Sequence, residues 1–217
     1  MYYFEEIPNI PTETQSLKDI LDEPFTLKDL IIKDKILKEG KSLRQIIEAM
    51  EDEVLANAGV DVFEECFKLI FTKLYDESLS KKDKEIITYD VDRNCECESL
   101  AELDYKDYIE LVKQVNDKKF RQLEFRNKGE TDLELKKKIQ ELFDGAKNKW
   151  KGVFSEDSKI NLSPSHLSVC VSSIQDIKLF NSNLQIIDEA FEYLINKSSK
   201  GEKGQYFTPR HVIDMCV

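Results

Sequence analysis

Apolar positions in this chain recur at intervals of three and four over most of its length. Leu43, Ile46, Ile47, Met50 and Val54 share one face of a helical pattern that opens at Ser42 and ends at Asn57-Ala-Gly59. A second pattern begins near Asp61, where Phe63, Phe67, Ile70, Phe71 and Leu74 repeat at helical spacing and Cys66 and Leu69 widen the stripe. A helix apolar over so much of its circumference belongs at the centre of a bundle. Its crowded aromatics read as core, not as a cofactor box. Its polar exit, Tyr75-Asp-Glu-Ser78, leads to a charged loop over Ser80–Glu85.

Upstream, Pro8, Pro11 and Pro24 mark an arm with few apolar anchors. Thr26 is placed to cap a helix over Leu27–Lys38, with Asp29 at its third position and Gly40 as the stop. Downstream, Glu85-Ile-Ile-Thr-Tyr-Asp-Val91 is short, β-branched and aromatic, and Phe120–Arg126 alternates apolar with charged residues. These two stretches are candidates to pair as a small antiparallel ribbon, one face of which helices must cover, because two strands alone are marginal. Between them, Asp104 caps a helix carrying Tyr105, Tyr108, Leu111, Val112 and Val115.

A long helical pattern runs over Asp132–Trp150, with Leu135, Ile139, Leu142, Phe143 and Ala146 inward. Gly145 weakens its middle by about 1 kcal/mol relative to alanine, and Trp150 and Phe154 pack at its exit. Ser163-Pro164 is a cap followed by a first-turn proline and opens a helix through Ile174. Leu184–Ile195 is the next. The expected fold is therefore mainly α, a multi-helix bundle with the small ribbon. It divides into an N-terminal arm with short helices (1–41), a helical domain (42–195), and a connector with a first helix (196–217).

The 217 residues, 41% apolar with twelve Phe, supply a real core. No run approaches eighteen apolar residues, and the first residues do not read as a secretory signal. Five cysteines, odd in number and unevenly spaced, fit free thiols in a reducing cytoplasm better than a disulfide framework. The net charge of −11 argues against nucleic-acid binding by the whole surface. The charge is uneven, however. Residues 118–151 hold eleven Lys or Arg against six Asp or Glu, a local +5, which leaves −16 on the remainder. This stretch is the candidate DNA-facing surface, with Lys136, Lys137 and Lys138 as its candidate contacts; an ordinary solvated lysine-rich helix gives the same pattern.

Self-contained catalytic chemistry is missing. Cys95-Glu-Cys97 has no companion ligands at the spacing structural zinc requires. No phosphate loop, nucleophile elbow or His-Glu-x-x-His stretch occurs. His166 reads as a polar residue just inside a helix rather than a base. The informative segment is the last one. Thr208 is placed to cap a helix and Pro209 fits its first turn. Tyr206 and Phe207 precede that helix, beside its positive end, where they suit the wall of a site for a flat, charged small molecule. The helix runs about two turns before Val217, so the sequence suggests a fragment whose next domain is cut away.

Three stretches carry a family resemblance: Phe67-Lys-Leu-Ile-Phe-Thr-Lys-Leu-Tyr-Asp-Glu77; Glu141-Leu-Phe143 with Lys149-Trp-Lys-Gly-Val-Phe154; and Ala190-Phe-Glu-Tyr-Leu194 followed by Gly201 and Gly204-Gln-Tyr-Phe-Thr-Pro-Arg-His-Val212. In that order, over residues 45–217, they resemble the N-terminal part of the methylation subunit of type I restriction–modification systems, which are adenine-N6 DNA methyltransferases. The resemblance implies that Gln205, Tyr206, Phe207, Thr208 and Pro209 help form an S-adenosylmethionine pocket in the full-length enzyme. It implies that the helical domain contacts double-stranded DNA, the specificity subunit and the restriction subunit, and that an α/β methyltransferase domain follows. It also implies an enzyme that flips an adenine out of the duplex. The family's glycine-containing cofactor loop and its Asn/Asp-Pro-Pro-Tyr/Phe segment are absent from residues 1–217. The fragment is thus expected to bind no cofactor and transfer no methyl group by itself, and a body of this kind can also form a homodimer in isolation. Two other readings stay open: the helical segment of a stand-alone or nuclease-fused adenine methyltransferase, and a structural interaction domain.

Overall fold

The computed structural model describes residues 24–36, 40, 42–53, 58–95, 104–116 and 118–180. The described residues hold seven helices: α1 (Leu27–Lys33), α2 (Leu43–Glu53), α3 (Val62–Leu79), α4 (Lys81–Asn94), α5 (Tyr105–Gln114), α6 (Asp132–Lys149) and α7 (Pro164–Ile174). The fold is mainly helical, with no sheet among the described residues.

The helix starts follow local chemistry. Thr26 N–H donates to Asp29 at 2.8 Å, Asp61 accepts from Glu64 N–H at 2.9 Å, and Thr131 and Glu134 bond reciprocally ahead of α6. Ser163 and Pro164 open α7 as expected. α1 is shorter than the sequence pattern suggests. It ends at Lys33 because Asp34, nearly fully buried, turns its carboxylate onto the N–H groups of Ile36 and Lys178, both at 3.2 Å.

Two apolar clusters organise the body. The larger joins α2, α3, α6 and α7: Leu43 and Ile47 meet Leu69, Ile70, Leu135, Ile139, Phe143, Leu167 and Val171, and two loops add Ile160 and Leu179. Burying each such side chain is worth about 1.5–3 kcal/mol. The smaller joins α1, α4 and α5 through Leu27, Leu30, Ile87, Val91, Ile109 and Val112. α1, assigned from sequence to an N-terminal arm, is therefore packed into the body. α3 lies between the clusters, against α6 on one side and α4 on the other.

The ribbon does not form. Residues 85–91 are helical, inside α4. Ile87 and Val91, four apart, are both 1% exposed, whereas Tyr89, which a strand would place on their face, is 65% exposed. The β-branched composition is overridden by packing at helical period. Phe120–Arg126 is extended but pairs with no strand beyond an isolated bridge between Thr26 and Gln122. Its donors go elsewhere: Arg121 N–H to Asp83, Leu123 N–H to the Phe25 carbonyl, and the N–H groups of Glu124 and Phe125 to Asp76. Carboxylates on α3 and α4 have taken the place of a neighbouring strand.

The polar exit read at Tyr75–Ser78 is also corrected. These residues lie within α3, and Asp76 and Glu77 are each 1% exposed. The charged loop at Ser80–Glu85 is the junction and first turns of α4. Among the cysteines, Cys66 and Cys170 are free and buried, but Cys95 is disulfide-bonded, so the expectation of free thiols throughout fails there.

Candidate nucleic-acid interface

The basic stretch from Lys118 to Lys151 begins in the turn before the extended segment, crosses α6 and ends in the turn behind it. Thr131 and Glu134 fix the start of α6, and Leu135, Ile139, Phe143 and Ala146 turn its apolar face inward. That register separates three adjacent lysines. Lys136 is half-buried and its Nζ donates to the Leu162 carbonyl at 2.6 Å. Lys138 is half-buried and donates to the Arg126 carbonyl at 2.7 Å and to Glu130. Lys137 is exposed. Burial pushes the Glu130 carboxyl up, but the bond from Lys138 and backbone N–H groups outweigh it and hold Glu130 below its ordinary value.

Other cations of the stretch also serve the fold. Arg121 pairs with buried Asp76 at 2.6 Å, and Arg126 pairs with Asp176 at 2.6 Å and stacks on the Phe25 ring at 3.6 Å. Lys147 holds the carbonyls of Glu156 and Ser158 at 3.1 and 2.9 Å. Lys149 donates to Ser78 Oγ and lies 5.2 Å from the Trp150 ring centroid. Lys118, Lys119 and Lys151 are exposed with Lys137. The surface able to meet phosphates is therefore sparser than the +5 of the stretch suggests, since counterions are released only by cations free to reach the duplex.

Beside it, the turn after α6 closes on α3. Phe154 packs on Phe67 at 5.4 Å and edge-on to Phe143 at 5.0 Å, and Trp150 meets Phe71 at 5.5 Å. Phe63, Phe67 and Phe71 are half-buried, and Phe63 packs against the larger cluster that holds Cys66, Leu69 and Ile70.

Sequence reasoning missed the charged residues inside α3. Lys68 is fully buried, pairs with Glu65 at 2.7 Å and donates to the Lys159 carbonyl at 2.7 Å, while Glu65 accepts Asn161 N–H at 3.0 Å. Lys73 donates to the Gln175 carbonyl at 3.0 Å and its Nζ lies 3.0 Å from Glu77 Oε1. That contact is an ion pair outside hydrogen-bond geometry, which leaves Oε1 without a hydrogen bond. Glu77 Oε2 accepts the N–H groups of Leu179 and Phe180. One helix thus holds three separate chain segments by their backbones. The available signal was register: Asp76 and Glu77 fall seven residues after Leu69 and Ile70, on the buried face.

The candidate cofactor residues Gln205, Tyr206, Phe207, Thr208 and Pro209, and the helix expected over Leu184–Ile195, lie outside the described residues. Among the described residues no helix is long and apolar enough to cross a membrane. No protein-family model, curated protein or solved structure matches this chain.

Proposed function

We propose that this chain is the helical, DNA- and subunit-contacting domain of the methylation subunit of a type I restriction–modification system, working in the cytoplasm. The supporting observation is a convergence. Two of the three stretches that carry the resemblance, Phe67–Glu77 and Glu141–Phe154, are far apart in sequence and pack on each other through Phe67, Phe71, Tyr75, Phe143, Trp150 and Phe154. A resemblance confined to unrelated surface segments would carry less weight than one whose parts share a packing unit.

On this reading the parent enzyme transfers a methyl group from S-adenosylmethionine to adenine N6, with Gln205–Pro209 contributing to the cofactor site. The residues described here position protein and DNA. They perform no proton or methyl transfer. Lys137 and the exposed lysines near it supply phosphate contacts, and the specificity and restriction subunits are the protein partners.

The test is co-expression with any specificity subunit found encoded beside this gene, together with the reading frame downstream of the Val217 codon. A stable complex that binds duplex DNA, and a downstream glycine-containing cofactor loop with an Asn/Asp-Pro-Pro-Tyr/Phe segment, are the expected results. The downstream motifs without a neighbouring specificity gene indicate a stand-alone or nuclease-fused methyltransferase. Absence of both the complex and the motifs overturns the proposal.

A further inference from the structure

A recess of about 350 Å³ lies on the outer face of α4, at the lower end of the range for small-ligand sites. Lys81, Lys84, Glu85, Thr88, Tyr89 and Asp92 line it along the helix, and Phe180 completes the lining. The walls are fixed. Ile87 and Val91 anchor α4 in the smaller apolar cluster, and Glu77 grips Phe180 by its backbone N–H at 2.8 Å.

Three features identify what such a recess takes. The first is flatness: Tyr89 and Phe180 are both aromatic, and Tyr89 is 65% exposed, an unusual placement for so large a ring. The second is charge. Lys81 pairs loosely with Glu85 at 3.9 Å, but no carboxylate among the described residues lies within ion-pair distance of Lys84. Its Nζ stands 5.9 Å from the Phe180 ring centroid. Burial and the neighbouring Lys178 ammonium push the Lys84 pKa down. The third is polarity along the recess. Asp92 lies about 12 Å from Lys84 along the helix axis, so a lysine end, where Glu85 offsets Lys81 and leaves Lys84 to attract an anion, is separated from an end that accepts from hydroxyl or amino groups.

We propose that this recess binds a nucleotide, its phosphate at Lys81 and Lys84, its base between Tyr89 and Phe180, and its sugar or amino donors toward Asp92. Aromatic faces hold bases of any sequence by stacking, and an ammonium without a carboxylate partner gains most from a phosphate. The nucleotide is either free or an exposed unit of a single strand; both present the same chemistry. The inference does not rest on the methylase reading, and its success or failure leaves that reading where it stands.

The experiment is calorimetric titration of the full chain with AMP, then with adenosine, inorganic phosphate and a short single-stranded DNA oligomer. The variants are Lys84→Met and Tyr89→Ala, both on the outer face of α4, with Lys137→Met as a control; circular dichroism verifies the fold of each. AMP is expected to bind more tightly than adenosine or phosphate alone, and each pocket variant to weaken it by about tenfold or more while the control does not. Competition by the oligomer identifies a strand as the source; its absence identifies the free nucleotide. No AMP binding, binding no tighter than phosphate alone, or binding unchanged in folded Lys84→Met overturns the proposal.

Discussion

The ring of Tyr75 occupies the space into which a side chain on Gly145 would project. A Cβ at Gly145 would meet Tyr75 Cε1 at 2.6 Å and the phenolic oxygen at 2.7 Å. The glycine that weakens α6 locally is what lets α3 and α6 approach at this level.

A sign reversal follows for substitutions at this position. In the native protein Gly145→Ala gains up to about 1 kcal/mol of helix propensity and loses about 1–3 kcal/mol to overpacking, because Trp150 lies edge-on to the Tyr75 ring at 6.3 Å. A net destabilisation is expected. In a Tyr75→Ala background the obstruction is gone and the same change should stabilise. A double-mutant cycle by urea denaturation measures both signs; equal effects in the two backgrounds would dismiss the contact.

Asp76 should be among the residues least tolerant of truncation. One carboxylate accepts two backbone N–H groups, at 2.8 and 2.9 Å, and binds Arg121. Asp76→Ala leaves three donors without a partner and is expected to cost about 3–5 kcal/mol. Glu48→Ala removes only an exposed pair with Arg44 and should cost under about 1 kcal/mol. Comparable denaturation midpoints for the two variants would contradict this assignment.

Asp76 also marks the limit of what was legible in the sequence. The faces of α2, α5 and α6 followed from apolar spacing, because Leu43, Ile47, Val112, Leu135 and Ile139 point inward at the intervals that a helix requires. Caps at Thr26, Asp104 and Ser163 followed from residue type. The α4 assignment failed because Ile86, Ile87, Tyr89 and Val91 carry strand composition, and only burial of Ile87 with Val91 decides the period. The Asp76 and Glu77 roles failed for a different reason: their partners are backbone groups about 45 to 100 residues away. Composition cannot reveal which distant N–H groups lack a strand. At the candidate interface the lysine run was visible, but which lysine is free depends on the register of α6 and the paths of two loops.

Thiol reactivity checks the larger cluster. Burial pushes the Cys66 thiol well above its ordinary value, and burial followed by Glu65 pushes Cys170 up to about 12. In the native protein both should resist alkylation at pH 8 and react once denaturant is added, as read by mass-spectrometric mapping. The folded state keeps these protons while the unfolded state releases them from about pH 9. Their contribution to stability is therefore complete below that pH and is lost as pH climbs toward 12. Rapid labelling of native Cys66 would show that α3 and α7 are not packed as described.

The three lysines of α6 should separate into two kinds. Lys136 and Lys138 each hold a loop carbonyl, so neutralising either to glutamine is expected to cost about 1 kcal/mol or more of stability. On the proposed reading, Lys137 contacts only DNA. Lys137→Gln should leave the denaturation midpoint unchanged, weaken duplex binding, and lower the dependence of log K on log salt by about one unit. Losing Lys138 has a further signature: Glu130 loses the partner that holds its pKa down, so stability present above the ordinary glutamate range should fade at a higher pH than in the native protein as acid is added. Anisotropy titrations across a salt series, paired with denaturation of the same samples, distinguish the two effects. If Lys137→Gln leaves the salt slope intact, the basic stretch of α6 serves the fold alone and the DNA-facing surface must be sought among other exposed lysines.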